Sequence, residues 1–419
     1  MRQETTFHII FIFVFSATLL FIAFLYPAHG FYEWENDDRF IDVRGLMRGF
    51  GTAFKNPENN FFYEDKSTSG VAALLRLLMQ AQAGQHLSFE VNVYQTHIPP
   101  SLVSPQSDFG ASLDVERSSA LEWSFSDDNY VHLAIDRLNF RMSGNHFDLI
   151  IGRQPINLAT TFYFTPNDFF APFAAQSFYR VYKPGVDAVR AEVRLGDLSQ
   201  LSLISVLGYT PDPDSDTGWS DESERDRASY IGRISTVFHD FEWALLGGMV
   251  CEAKIIGGSL QGELFQWLGV RTEGHVAAPD DTGRDSYLEL SVGVEHRCEN
   301  SLDLRLEQYY HGSGASSVSD YDTKPAAVQG ESTYLGRNYT ALGVGYEFTP
   351  LVKAEMLAMT NLTDHSYLLS FNATYSLSNE AELAFNLGVP VGKKPEGAEI
   401  KSEFGLYPYS VNVEVRWYF

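Results

Sequence analysis

Val411-Asn-Val-Glu-Val-Arg-Trp-Tyr-Phe419 closes the chain in strict alternation: Val411, Val413, Val415, Trp417 and Phe419 share one face, and Ser410, Asn412, Glu414, Arg416 and Tyr418 the other. A period of two residues marks a β-strand with one apolar side. The same pattern runs back through the chain in segments of about ten residues separated by turn residues. In His86–Thr96, Leu87, Phe89, Val91 and Val93 oppose Ser88, Glu90, Asn92 and Tyr94. In 365–378, Tyr367, Leu369, Phe371, Ala373, Tyr375 and Leu377 oppose Ser366, Ser370, Asn372, Thr374 and Ser376. Helical periodicity is almost absent. Alternation alone also fits a soluble sandwich whose apolar side chains meet in a core, so the strands leave open what covers that face.

The two chain ends decide it. Arg2 precedes an apolar run from Ile9 to Leu25, followed by Pro27 and the small residues Ala28 and Gly30, spaced as signal peptidase requires. Residues 1–30 therefore read as a signal peptide with cleavage after Gly30; the competing reading, a membrane anchor, lacks a basic stop-transfer flank. Beyond it no apolar run is long enough for a spanning helix, so further membrane contact must be made by strands. The C-terminal strand, with Val415, Trp417 and Phe419 on its apolar face, resembles the signal that bacterial outer-membrane barrels present to their assembly machinery. In hydrocarbon an open sheet edge leaves N–H and C=O groups unsatisfied, so this strand must pair with the first, near 39–54. Aromatic residues, 14% of the chain, suit girdles at the two interfaces. The expectation is an all-β, transmembrane, up-and-down antiparallel barrel over 31–419, set in outer-membrane lipid and lipopolysaccharide.

Segments that read as strands lie near 39–54, 69–82, 86–96, 117–126, 130–142, 147–158, 186–196, 199–210, 229–239, 241–252, 255–263, 267–276, 285–298, 301–311, 339–349, 351–361, 365–377, 380–390 and 405–419. Their number is odd, whereas single-chain bacterial barrels have an even count. The pattern fails between 97 and 186, so the expected count is about 18, with 16 as the alternative. The turns Leu377–Glu380, Phe348–Leu351 and Arg297–Leu302 fit the periplasmic side, and 313–338 and 391–404 the outside.

Composition excludes several functions. A formal charge of −24 argues against nucleic acid. Much of it crowds one stretch, Asp212, Asp214, Asp216, Asp221, Glu222, Glu224 and Asp226, which reads as a solvated loop. Cys251 and Cys298 are too few for a disulfide framework, the His residues show no ligand spacing, and no haem-attachment motif occurs. No metal or cofactor is expected. A lipid-cleaving pair at His311 with Ser313, Ser316 or Ser317 would need an orienting group that nothing at short range supplies. Catalytic residues are therefore expected to be none.

The irregular stretch is the informative one. After Asp148-Leu-Ile-Ile-Gly-Arg-Gln-Pro155 comes a connection, 159–185, holding Thr165-Pro-Asn-Asp168, Phe169, Phe170, Pro172 and Phe173. A loop this aromatic must be buried, and a barrel offers its lumen. On this reading Arg153, Gln154, Asn167 and Asp168 line a constriction; a loop packed over the barrel mouth, or a plain periplasmic excursion, is the alternative. Strands 285–299 and 302–310 add Glu289, Glu295, Arg297, Asp303, Arg305 and Glu307 as lumen-facing candidates, a wet interior with an acidic bias that would favour cations or neutral solutes.

Asp136-Arg-Leu138, Gly152-Arg-Gln-Pro-Ile156 and Pro166-Asn-Asp-Phe-Phe-Ala-Pro172, with Leu306-Glu-Gln-Tyr-Tyr-His311, resemble a group of large porin-like outer-membrane barrels distantly similar to alginate-export barrels. That resemblance implies a channel and names no solute. Asn157-Leu158 stands where many such barrels have Trp-Gly. The expected function is a porin-like channel for passive diffusion of small solutes or ions; the alternatives are a sheath around a multihaem cytochrome and, behind it, an outer-membrane lipid hydrolase.

Overall fold

The computed structural model describes residues 31–36, 38–63, 65–99, 102, 115–125, 131–215, 217–280, 283–321 and 334–419; the expected signal peptide lies outside the described residues. Twenty strands form one antiparallel sheet. They are β1 (Tyr32–Asn36), β2 (Arg39–Lys55), β3 (Ser67–Ala83), β4 (Leu87–His97), β5 (Glu122–Ser124), β6 (Val131–Ser143), β7 (Phe147–Gln154), β8 (Val186–Arg194), β9 (Ser199–Pro211) and β10 (Trp219–Phe238). There follow β11 (Phe241–Val250), β12 (Ala253–Leu264), β13 (Leu268–Pro279), β14 (Tyr287–Arg297), β15 (Leu302–His311), β16 (Asn338–Thr349), β17 (Val352–Asn361), β18 (Ser366–Ser376), β19 (Ala381–Val391) and β20 (Tyr409–Tyr418).

Each wall strand pairs with the next, and β20 returns to β2 from Leu46↔Tyr418 to Lys55↔Tyr409, so the sheet closes on itself. Two of the twenty stand outside the wall. Among the described residues, β1 pairs only with the start of β2, Arg39–Val43, below the end of β20, and β5 only with three residues of β6. Eighteen strands remain, an even number that satisfies every backbone edge within the wall.

The odd count from sequence has a specific source. The segment 117–126, read as a wall strand, is a 3-10 turn, Ser119–Leu121, followed by the three-residue β5. Glu116 and Arg117 at its start are buried at 2% exposure, held by Arg227 and Asp136 of the wall, while β5 lies on the edge of β6 beyond the end of β7 with Trp123 exposed. The acidic stretch also differs from expectation: β10 begins at Trp219, and Asp221, Glu222 and Asp226 are exposed on its first half. Charges on both faces erase the alternation there, because neither face meets an apolar surface. At the other end, Pro155 closes β7 before 158 because it has no N–H to give to the ladder.

Connections at one end of the barrel are two to four residues; the β10–β11 turn places His239 and Asp240 at φ 50° and 64°, the two left-handed positions of a type I′ hairpin. The outward face is apolar along the wall, with Leu203, Leu245, Ile256, Val292 and Leu306 exposed beside Val411, Val413 and Val415. The seam ends on an aromatic lock. Phe419 exchanges backbone hydrogen bonds with Gly45 at 2.6 and 2.9 Å, and its ring covers Gly45 so closely that a Cβ there would lie 2.2 Å from it.

Candidate functional site

Between β7 and β8 the chain leaves the wall and crosses the lumen. Its aromatic residues explain why. Phe164, Phe169 and Phe170 are buried to 3% exposure or less, and burying each ring is worth about 1.5–3 kcal/mol. Ile156, Leu158, Phe169 and Phe170 pack on the inward side chains Ile204, Val206, Ile231, Leu246 and Ile255, and Phe164 packs against Tyr309, Tyr339 and Leu357 farther round the wall. These wall strands are apolar on both faces at this level, the inner face being covered by the loop.

Two wall carboxylates hold the loop by its backbone. Glu273 on β13 accepts N–H from Thr160, from Thr161 at 2.9 Å and from Asn167 at 3.0 Å. Glu307 on β15 accepts from Phe162 at 2.8 Å, Tyr163 at 3.1 Å and Phe164 at 2.6 Å. A loop carries backbone donors that no ladder satisfies, and a buried carboxylate needs several donors; each solves the other's problem. Tyr163 fits against the wall only because residue 343 is glycine, where a Cβ would fall 1.7 Å from its hydroxyl.

On its other side the loop faces arginines. Arg48 of β2 and Arg416 of β20 lie over the Tyr179 ring at 4.1 and 4.3 Å, and Arg76 of β3 over Tyr182 at 4.7 Å. A cleft remains between this part of the loop and the wall, lined by Arg48, Arg76, Thr96, Pro172, Tyr179 and Tyr182. Arg76 is neutralised by Asp136 at 2.7 Å and Arg416 by Glu414 at 2.8 Å. Arg48 binds Glu414 through Nε at 2.5 Å, while its buried Nη2 has no hydrogen-bond partner among the described residues.

The structure separates the sequence candidates. Arg153 is 1% exposed; it pairs with Asp187 at 2.9 Å and donates to the carbonyls of Ile135 and Ser118, so it knits wall to inner segment. Gln154 is fixed to the carbonyls of Ile150 and Ala188. Asn167 spans Gly258 O and His275, and Asp168 pairs with Lys183 at 2.6 Å, burial pushing the carboxyl up and the ammonium down. Glu289 accepts from Tyr309 and pairs with His311 at 2.7 Å. Glu295 meets Arg271 at 3.1 Å, Asp303 meets Arg305, and Arg297, with its side chain 69% exposed, stands at the rim beside Glu347. Glu295, Asp303 and Arg305 thus lie together on the short-turn side of the loop, while Glu307 is its anchor.

Sequence reasoning missed Glu273, Arg48, Arg76, Tyr179 and Tyr182. One signal was present: Arg76 is the single charge within the apolar strand Ser67–Ala83. Removing one member of a buried pair leaves the other uncompensated, so Arg153→Ala is expected to lower the unfolding free energy by about 3–5 kcal/mol, read from denaturant midpoints in detergent.

No protein-family model matches the sequence, and no curated protein matches it. Solved structures do. OccAB3 of Acinetobacter baumannii superposes with a TM-score of 0.59 at 11% identity, covering 90% of this chain and 99% of that one. A BenF-like porin from Pseudomonas fluorescens Pf-5 gives 0.59 at 10% identity, covering 90% and 98%. OccK2 (OpdF) of Pseudomonas aeruginosa, solved in complex with glucuronate, gives 0.58 at 10% identity with the same coverage. The expected likeness to alginate-export barrels finds no support in these neighbours. What the chain shares with them is the fold: a closed, antiparallel, porin-type transmembrane β-barrel.

Proposed function

We propose that the chain is a bacterial outer-membrane channel through which small solutes diffuse passively, with loop 155–185 as its narrowest part. The observation that carries this reading is the loop itself, pinned across the lumen by Glu273 and Glu307 so that a cleft remains beside Arg48 and Arg76. The carboxylates behind the expected cation bias are engaged: Glu307 by loop amides, Glu289 by Tyr309 and His311, Asp303 and Glu295 by arginines. Of the two cleft arginines, Arg48 is the one that keeps a guanidinium nitrogen, Nη2, without a hydrogen bond among the described residues. We therefore assign the cleft to solutes carrying an anionic group, in keeping with the glucuronate found in one structural neighbour. Lipid and lipopolysaccharide would surround the apolar band, and the assembly machinery would read the terminal strand.

In planar bilayers the protein is expected to give steady single-channel current with an anion-side reversal potential. Arg48→Gln should lower the anion-to-cation permeability ratio severalfold, because it removes the charge from a site screened little by solvent. Silent membranes at high protein incorporation would end the channel reading, and an unchanged ratio would remove Arg48 from it.

The sheath reading needs a lumen wide enough for a second protein, and here the loop occupies that space. The hydrolase reading needs His311 within reach of lipid. His311 faces inward at 3% exposure, its Nδ1 on Glu289.

A further inference from the structure

We propose that Glu403 and Asp364 form a proton-operated latch that fastens the outer segments of the barrel to the constriction loop, closed while Glu403 holds a proton and released when it ionises. Only the effect on current rests on the channel reading above; the latch itself is a property of the loops.

Three outer segments meet at these two carboxylates. Glu403, 1% exposed, stands at the start of the 3-10 turn Phe404–Leu406. Its Oε2 accepts from Asn361 at 2.7 Å and from the Tyr339 hydroxyl, and its Oε1 from Leu335 N at 3.3 Å. Its own N–H donates to Asp364 Oδ2 at 2.7 Å, which also accepts from Tyr321 at 2.9 Å. Asp364 Oδ1 accepts from Ser366 N at 2.7 Å, and Ser366 Oγ from Phe404 N at 3.2 Å. Residues 334–337, the 362–365 turn and 392–408 are thereby tied into one knot.

The groups facing Glu403 are Tyr339 on β16, Asn361 on β17, Asp364 in the turn, and Tyr321 and Tyr334 from the outer segments. Tyr407 faces it from its own segment, with Tyr63 beyond, while Arg180 and Glu307 lie beyond Tyr334. Lys401, on the same segment, is taken by Glu399 at 2.7 Å. The groups bonded to Glu403 are thus a phenol, an amide and a backbone N–H; these donors favour its carboxylate, but none brings a positive charge to offset a second negative one beside Asp364, and burial outweighs them. Burial, with Asp364 adding to it, pushes the Glu403 carboxyl up to about 7.

The knot reaches the constriction through aromatic contact. Phe404, fully buried, packs in the cluster with Tyr339 and Phe164. Phe164 in turn stacks on Tyr309 at 4.9 Å, meets Tyr334 at 5.4 Å, and is the residue whose N–H Glu307 holds at 2.6 Å. Freeing 403–406 therefore uncovers the outer side of the loop that narrows the lumen.

The sign follows from linkage. The closed state binds the proton more tightly than an opened one with an ordinary carboxyl, so closure is favoured at low pH and is lost as pH rises through about 7. Hydrogen exchange of the folded barrel in detergent, corrected for the intrinsic rate, should show the opening constant of the 403–406 amides rising about tenfold between pH 6 and pH 8. Glu403→Gln, which keeps an acceptor and cannot ionise, should flatten that profile. Asp364→Asn, which removes the neighbouring charge, should move it to lower pH. A flat profile in the parent, or a Glu403→Gln profile that follows the parent's, overturns the latch. In bilayers, the parent's steady current should be larger at pH 8 than at pH 6, and that of Glu403→Gln equal at the two. Silent bilayers with the exchange shift intact would count against conduction and leave the latch standing.

Discussion

Glu273→Ala with Glu307→Ala is expected to raise single-channel conductance severalfold and to admit solutes that the parent excludes. Each carboxylate receives three loop amides, and a hydrogen bond to a charged group is worth about 1.5–3 kcal/mol where its loss leaves a buried donor unsatisfied. Losing one anchor leaves the other, and each alone still holds part of the loop. Losing both leaves the aromatic contacts to hold a segment whose amides then have nowhere to go except water, so the loop moves toward the mouth. Liposome swelling with sugars of graded size would read the exclusion limit, with the folded fraction checked by heat-modifiable electrophoresis. Glu307→Gln, which retains an acceptor, should have the smaller effect. A correctly folded double variant with unchanged conductance and cut-off would show that the loop does not set the pore.

The second large effect concerns the seam. Deleting Phe419 removes the paired hydrogen bonds to Gly45 and the ring that covers it, and Gly45→Val pushes a side chain into the same space from the opposite strand. Both changes should reduce folded barrel in the membrane about tenfold or more, since 1.4 kcal/mol already gives that factor and each lost buried hydrogen bond costs about as much. Molecules that do insert should conduct like the parent. Full insertion of the deletion with no current would contradict this division between assembly and transport.

How much of this could be read from the sequence depends on what each residue faces. Strands between lipid and water were legible because one side of each must be apolar: Val411, Val413 and Val415, or Leu87 and Phe89, announce their face by spacing alone. Legibility ended where that boundary ended. β10 above Ser229 carries charge on both sides and looked like loop; 117–126 alternated enough to look like a full wall strand, but its start turns inward and only Glu122–Ser124 pairs with β6. The loop across the lumen was signalled by its aromatic content, yet its anchors were not. Glu273 and Glu307 are ordinary lumen-facing residues of their strands until the backbone of a segment more than a hundred positions earlier arrives to meet them. Arg153 and Gln154 drew notice as a motif and turned out to be pinned on neighbouring carbonyls and a carboxylate, which spacing cannot distinguish from lining a pore.

The separation between loop and anchors has a bearing on biogenesis. Thr160 and Glu273 are 113 positions apart, and Phe162 and Glu307 are 145, so the aromatic loop is made long before the strands that hold it. Contacts of such span form late and slowly, and until then Phe164, Phe169 and Phe170 have no shelter of their own. Docking of the loop therefore waits on the wall: a chain that stalls before β13 would have the loop and neither Glu273 nor Glu307 to fasten it to. Until then an unfinished chain exposes an open sheet edge and unsheltered aromatic rings together, the two features that favour aggregation.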